Sequence, residues 1–153
     1  MPRSIRTFRE VLVAVAALTA AAAPFAAPTV SAAGSDGEMV KRVASHDLPN
    51  LPGKRLTAVV VTYAPGAKSA RHHHAGSVWA YVLSGAIRSQ NSATGPAKVY
   101  RAGESFFEPP GSEHLLSENA SATEPASLLA VHIADDGAGL IATQRFEHRG
   151  PPI

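Results

Sequence analysis

Arg71-His72-His73-His74-Ala75-Gly76-Ser77-Val78-Trp79-Ala80-Tyr81-Val82-Leu83-Ser84-Gly85 is the stretch on which the fold of this chain turns. Three consecutive histidines precede a run that alternates and then breaks at Ser84-Gly85. In an extended strand successive side chains point to opposite faces, so His72 and His74 share one face and His73 takes the other. Two imidazoles on one strand face form half of a metal site. The other half is to be sought further along, and His114 is the candidate.

On either side of this stretch the chain reads as short strands. Leu56 to Tyr63 is the strongest, being β-branched and stopped by Pro65-Gly66, and Met39 to His46 is expected to be an edge strand before it. Ala86 to Gln90 and Ala97 to Arg101 make a hairpin around Asn91 to Pro96. Ser105 to Glu108 is halted by Pro109-Pro110-Gly111, and His114 to Ser117 and Ser127 to Ala134 follow. Leu140 to Glu147 is a last strand or a docking tail. Roughly nine short strands without helical periodicity point to an all-β barrel or sandwich.

The beginning of the chain is of another kind. Arg3, Arg6 and Arg9 form a basic region, Val11 to Ala23 an apolar one, and Val30-Ser31-Ala32 a small-residue cleavage pattern. Residues 1–32 are therefore expected to be a cleavable signal peptide, with Ala26 or Ala27 as alternative sites. Residues 33–153 would then be a single domain in the periplasm or secreted medium. The apolar run is shorter than the roughly 20 residues a spanning helix needs, so no stable membrane anchor is expected after cleavage. Three of the 14 basic and one of the 12 acidic residues fall in the leader, which leaves eleven of each. A formally neutral domain gives no reason to expect nucleic acid. The chain has no cysteine, so disulfides, thiol catalysis and thiolate metal sites are excluded. Any metal must be held by nitrogen and oxygen.

Two glycine-and-histidine patterns stand in sequence. Gly66 is followed after five residues by His72-x-His74, and Gly85 closes the segment. Gly103 is followed after five residues by Pro109-Pro110-Gly111, two more residues and His114. Over Pro65 to Asn119 this resembles the two motifs of the cupin superfamily, in the spacing of its small bacterial single-domain members. The resemblance implies an antiparallel β-barrel (jelly roll) holding one divalent metal through His72, His74 and His114. Fe(II) is the first choice of metal, with Mn, Ni, Cu and Zn as alternatives. It also implies a small-molecule ligand and pairing through edge strands into a homodimer. The fold alone does not name the function.

One position departs from the pattern. The motif glutamate, seven residues before Gly85, falls on Val78, with Ser77 as the neighbouring alternative, and neither is a carboxylate. The final asparagine, Asn119, is displaced by one residue. A site reduced to three histidines has a net charge higher by one, and should favour an anionic chelating ligand such as an enolate or carboxylate. Similar arrangements occur in acetylacetone and gentisate dioxygenases, so the expected activity is dioxygenase-like, at Fe(II), in an apolar cavity lined by Val78, Ala80 and Val82. The alternative is a non-enzymatic module binding metal or a small molecule. Glu108 could point inward as a fourth ligand or a base, or be a solvated strand end. His132 reads as a core histidine or a support to the ligands. Trp79, Tyr81, Phe106 and Phe107 are expected to pack in the core or an interface.

Overall fold

A computed structural model describes residues 36–141, and over them the chain is all-β, with nine strands and no helix. The leader expected over residues 1–32 lies outside the described residues, as does most of the last expected strand. Its first two residues, Leu140 and Ile141, are described and are irregular chain.

The strands are β1 (Glu38–Asp47), β2 (Lys54–Tyr63), β3 (His72–His73), β4 (Ser77–Ser84), β5 (Ala86–Asn91), β6 (Lys98–Arg101), β7 (Ser105–Glu108), β8 (Glu113–Asn119) and β9 (Ala126–Asp135). They form a five-stranded sheet in the order β1-β2-β9-β4-β7 and a four-stranded sheet in the order β3-β8-β5-β6. All pairings are antiparallel.

The histidine stretch, expected as one strand, is two strands in different sheets. Gly76 lies in the crossing between them. A Cβ there would fall 2.0 Å from the carbonyl oxygen of Ile133, so the backbone passes against β9 where only glycine fits. Gly85, with φ of 68°, makes the turn out of β4, and a Cβ on it would meet the Pro125 carbonyl at 2.7 Å.

The core follows from strand alternation. Val78, Ala80 and Val82 of β4 point inward, together with Val59, Val61 and Tyr63 of β2, Leu128 and Ala130 of β9, Ile87 and Phe106. Each fully buried valine or leucine contributes about 1.5–3 kcal/mol. The opposite face of β4 is open: Trp79 is 43% exposed and its register partner Phe107 is 50% exposed. Of the four aromatic residues expected to pack, Phe106 lies in the core, while Trp79 stacks on Tyr81 at the surface.

Two cross-strand rows carry the polar residues inside. In the larger sheet Glu108, Val78, His132 and Thr57 are successive register partners across β7, β4, β9 and β2, and all four are buried. In the smaller sheet the row is His72, His114 and Asn91 across β3, β8 and β5. A bulge aims it: Gln90 pairs with Leu116 but Asn91 pairs with His114, so Leu115 is the extra residue in β8. That is why His114 and Ser117, three apart, are both buried on a strand.

Candidate metal centre

His72, His74 and His114 come together: their ligand nitrogens all lie within 4.8 Å of one another. The first two are 8% and 6% exposed, while His73 between them is half-buried, as the strand parity requires. His114 joins them as the direct register partner of His72 in the same sheet.

The outer hydrogen bonds fix which nitrogens face inward. Nδ1 of His72 donates to the carbonyl of Ala70 at 2.7 Å, and Nδ1 of His74 to the carbonyl of Leu140 at 2.7 Å. A carbonyl can only accept, so in the neutral rings both protons are on Nδ1 and both Nε2 atoms carry lone pairs. Those two Nε2 atoms lie 3.1 Å apart. Two acceptors at that distance cannot bond to each other without a cation between them. Ligands about 2.1 Å from one ion lie about 3.0 Å apart when octahedral neighbours and about 3.4 Å apart when tetrahedral, so the spacing fits a divalent ion.

Protonation is disfavoured as well. Burial lowers His74 to about 3, helped by the neighbouring His72, and burial with His72 and His74 lowers His114 to about 3. His132 is lowered to about 4, by burial and then by His72. Neutral imidazoles are the form that binds metal. His132 also lines the cavity, its ring edge-on to His74 with centroids 5.0 Å apart. It thus stands behind the cluster rather than in a purely apolar core.

Glu108 is not a solvated strand end. It is 2% exposed, with Oε2 3.2 Å from His114 Nδ1 and 3.7 Å from His74 Nε2. Burial pushes its carboxyl up to about 7, although Asn91 works the other way by donating Nδ2 to Oε2 at 3.3 Å. The same Nδ2 donates to Ser112 Oγ at 2.9 Å, and Ser112 donates to the Pro109 carbonyl at 2.6 Å. On its other side His114 meets Ser89 Oγ through Nε2 at 2.9 Å. In the tautomer whose Nε2–H donates to Ser89, the Nδ1 lone pair of His114 faces the cluster.

Asn91, Ser89, Ser112 and the Leu140 carbonyl were not readable as parts of this site. Asn91 looks like the first residue of a turn, and the β8 bulge leaves no mark in the sequence. Val78 and Ala80 line the cavity as expected. Val82 does not; it is fully buried in the core beyond it.

The cavity measures about 100 Å³; the larger sheet supplies its apolar wall and the smaller sheet His72, His114 and Ser117, with Leu140 and Ile141 also lining it. Away from the histidines its polar lining is self-contained. Ser69 Oγ donates to Glu38 Oε1 at 2.6 Å, which leaves Ser69 to accept from Tyr63 at 2.6 Å and Tyr63 to accept from Ser117 at 2.9 Å. Burial pushes the Tyr63 hydroxyl up to about 12, so it keeps its proton.

Residues 59–132 match the model of the cupin domain family. No curated protein matches the chain. Among solved structures, an uncharacterised double-stranded β-helix protein from Klebsiella pneumoniae aligns with a TM-score of 0.53 at 22% identity, over 71% of this chain and 87% of that one. A cupin superfamily protein from Desulfitobacterium hafniense aligns at 0.53 and 12% identity, over 68% and 84%. An oxalate decarboxylase aligns at 0.53 and 29% identity, over 68% of this chain but 28% of its own. With the family's two histidine motifs converging on one cavity inside two antiparallel sheets, the chain is a small cupin-domain protein.

Proposed function

We propose that this cupin is an exported protein that holds one divalent ion through His72, His74 and His114. It would present that ion to a small chelating ligand, an enolate or carboxylate, in a dioxygenase-like reaction. The observation that carries the reading is the pair of Nε2 atoms 3.1 Å apart, each on a ring whose Nδ1 donates to a backbone carbonyl. When bound, the metal supplies Lewis acidity and a site for oxygen.

The rest falls to the protein's own side chains. Val78, Ala80, Phe106, Leu128 and Ala130 keep water from the ligand, which strengthens every polar contact inside. The chain from Ser117 through Tyr63 and Ser69 to Glu38 uses all three of its hydroxyl donors, so a ligand's acceptor atoms are left to the histidine end. No lysine or arginine lines the cavity among the described residues. A single chelating anionic group on a small apolar body suits such walls.

The size of the cavity supports a second reading. An apolar cavity of about 150 Å³ holds benzene. At about 100 Å³ there is little room for an organic ligand and dioxygen together, which favours a non-enzymatic metal or small-molecule module.

One experiment separates the two. Protein purified without a histidine tag is analysed for metal, then loaded anaerobically with Fe(II) and followed for oxygen uptake with β-diketones, hydroxylated aromatic acids and flavonols. Uptake that vanishes in His114→Ala supports the enzyme, and given the cavity it is expected with the smallest ligands. Thermal stabilisation by a ligand without oxygen uptake supports the binding module. Zinc as the native metal with no iron counts against oxygen chemistry.

A further inference from the structure

The family's motif places a glutamate where this chain has Val78, and Val78 is the direct cross-strand partner of Glu108. Register partners in an antiparallel pair put their side chains on the same face, with Cβ atoms about 4.5–5.5 Å apart. A carboxylate on β7 can therefore reach the space that one on β4 would have filled. Both positions are buried facing the cavity, Val78 at 1% and Glu108 at 2% exposure.

We propose that Glu108 is the fourth ligand of the metal centre, the carboxylate having moved one strand across the sheet from the position now held by Val78. The assignment rests on the three-histidine metal reading of the same site. Glu108 Oε2 lies 3.2 Å from His114 Nδ1 and 3.7 Å from His74 Nε2. The first falls within the roughly 3.0–3.4 Å expected between ligands of one ion at about 2.1 Å, and the second lies about 0.3 Å beyond it. Its carboxylate has no lysine or arginine partner among the described residues; its contacts are Asn91 and the two histidines. A buried carboxylate without a cation is costly, and an ion at the histidine cluster supplies one.

Asn91 is the positioning residue. It is the register partner of His114, 3% exposed, and shares one amide nitrogen between Glu108 Oε2 and Ser112 Oγ. Conserving a single direction for the carboxylate is what a ligand needs and a merely tolerated buried acid does not. The charge of the site follows. Three neutral imidazoles, one carboxylate and a divalent ion sum to a single positive charge, which matches a ligand with one anionic group.

The test is Co(II) binding by the full domain, read by competition titration and by visible absorption, which reports the ligand set directly. Glu108→Gln keeps the shape and removes the charge. It should weaken Co(II) binding at least tenfold and shift the absorption bands. Affinity within threefold of the wild type with an unchanged spectrum overturns the assignment. Should Glu108→Gln fail to fold, the exchange Val78→Glu with Glu108→Val keeps one carboxylate on the same cross-strand row. Affinity within tenfold of the wild type then supports the proposal, and a larger loss in a folded exchange variant overturns it. His114→Ala distinguishes this from failure of the metal reading. If it loses Co(II) while Glu108→Gln keeps it, only the fourth ligand is wrong; if the wild type takes up none, the reading itself falls.

Discussion

His74 and Leu140 are 66 residues apart in sequence, yet the His74 ring donates Nδ1–H to the Leu140 carbonyl oxygen at 2.7 Å. A segment beyond β9 thus sets the tautomer of a candidate ligand. Partners of this kind usually change metal affinity 10–100-fold when lost. A chain ending at Gly139 should keep its sheets and bind a divalent ion about tenfold more weakly than the full chain. Competition titration beside circular dichroism checks both statements.

The three consecutive histidines after Arg71, together with His114, give an internal control. His72→Ala, His74→Ala and His114→Ala should each weaken divalent-metal binding about a hundredfold or more. His73→Ala, which removes a half-buried ring on the other face, should change it less than threefold. Metal content after dialysis is the measurement, and equal losses from all four would mean that the strand parity has been misread.

Acid should destabilise the metal-free protein, and the sign can be worked out group by group. Burial lowers His74, His114 and His132 to about 3, 3 and 4 from 6.5, so each is neutral in the fold and takes up a proton on unfolding below pH 6.5. Their contribution to stability is whole above 6.5 and is lost as pH falls toward the folded values. Glu108 opposes them: burial raises it from 4.5 to about 7, so it gives up a proton on unfolding between those values. Three imidazoles outweigh one carboxyl, and unfolding should take up about two protons between pH 4.5 and 6.5. The urea midpoint of chelator-treated protein should be roughly 1 M or more lower at pH 5 than at pH 7. A midpoint that is flat or rises on acidification would contradict this.

Gly76→Ala should be among the most damaging small substitutions in the chain. Its methyl would lie 2.0 Å from the Ile133 carbonyl and 2.7 Å from the Ala134 Cα, both backbone atoms that cannot rotate away. Overpacking of this kind costs typically 1–3 kcal/mol, and a backbone clash puts it at the upper end. Thermal unfolding measures it directly.

The export proposal has its own check. Intact mass of the protein recovered from periplasm or medium should begin near Ala33. Finding the full-length chain in the membrane fraction would refute it.

The sequence was most legible where the physics is local. Strand parity is enough to pair His72 with His74 and set His73 apart, and motif spacing is enough to reach His114. Glu108 was ambiguous because alternation over four residues ahead of Pro109-Pro110 does not say which face is inside. Its side is decided by pairing with Val78, thirty positions away, and pairing is not a local property. The Leu115 bulge and the Leu140 contact were illegible for the same reason. Val82 was placed in the cavity because alternation gives the face but not the depth along it.

The shortest of the nine described strands carries one of the candidate ligands. β3 has two residues, paired only as His72 with His114 and His73 with Glu113, where β2 pairs over its whole length with β9. Few backbone bonds hold it, so it belongs to the part of the molecule that opens locally at small free-energy cost while the larger sheet stays closed. An ion gripped by His72, His74 and His114 would pin that segment to β8 from the inside. Metal occupancy would then be felt first as rigidity at one edge of the smaller sheet, where the metal-free protein opens most readily.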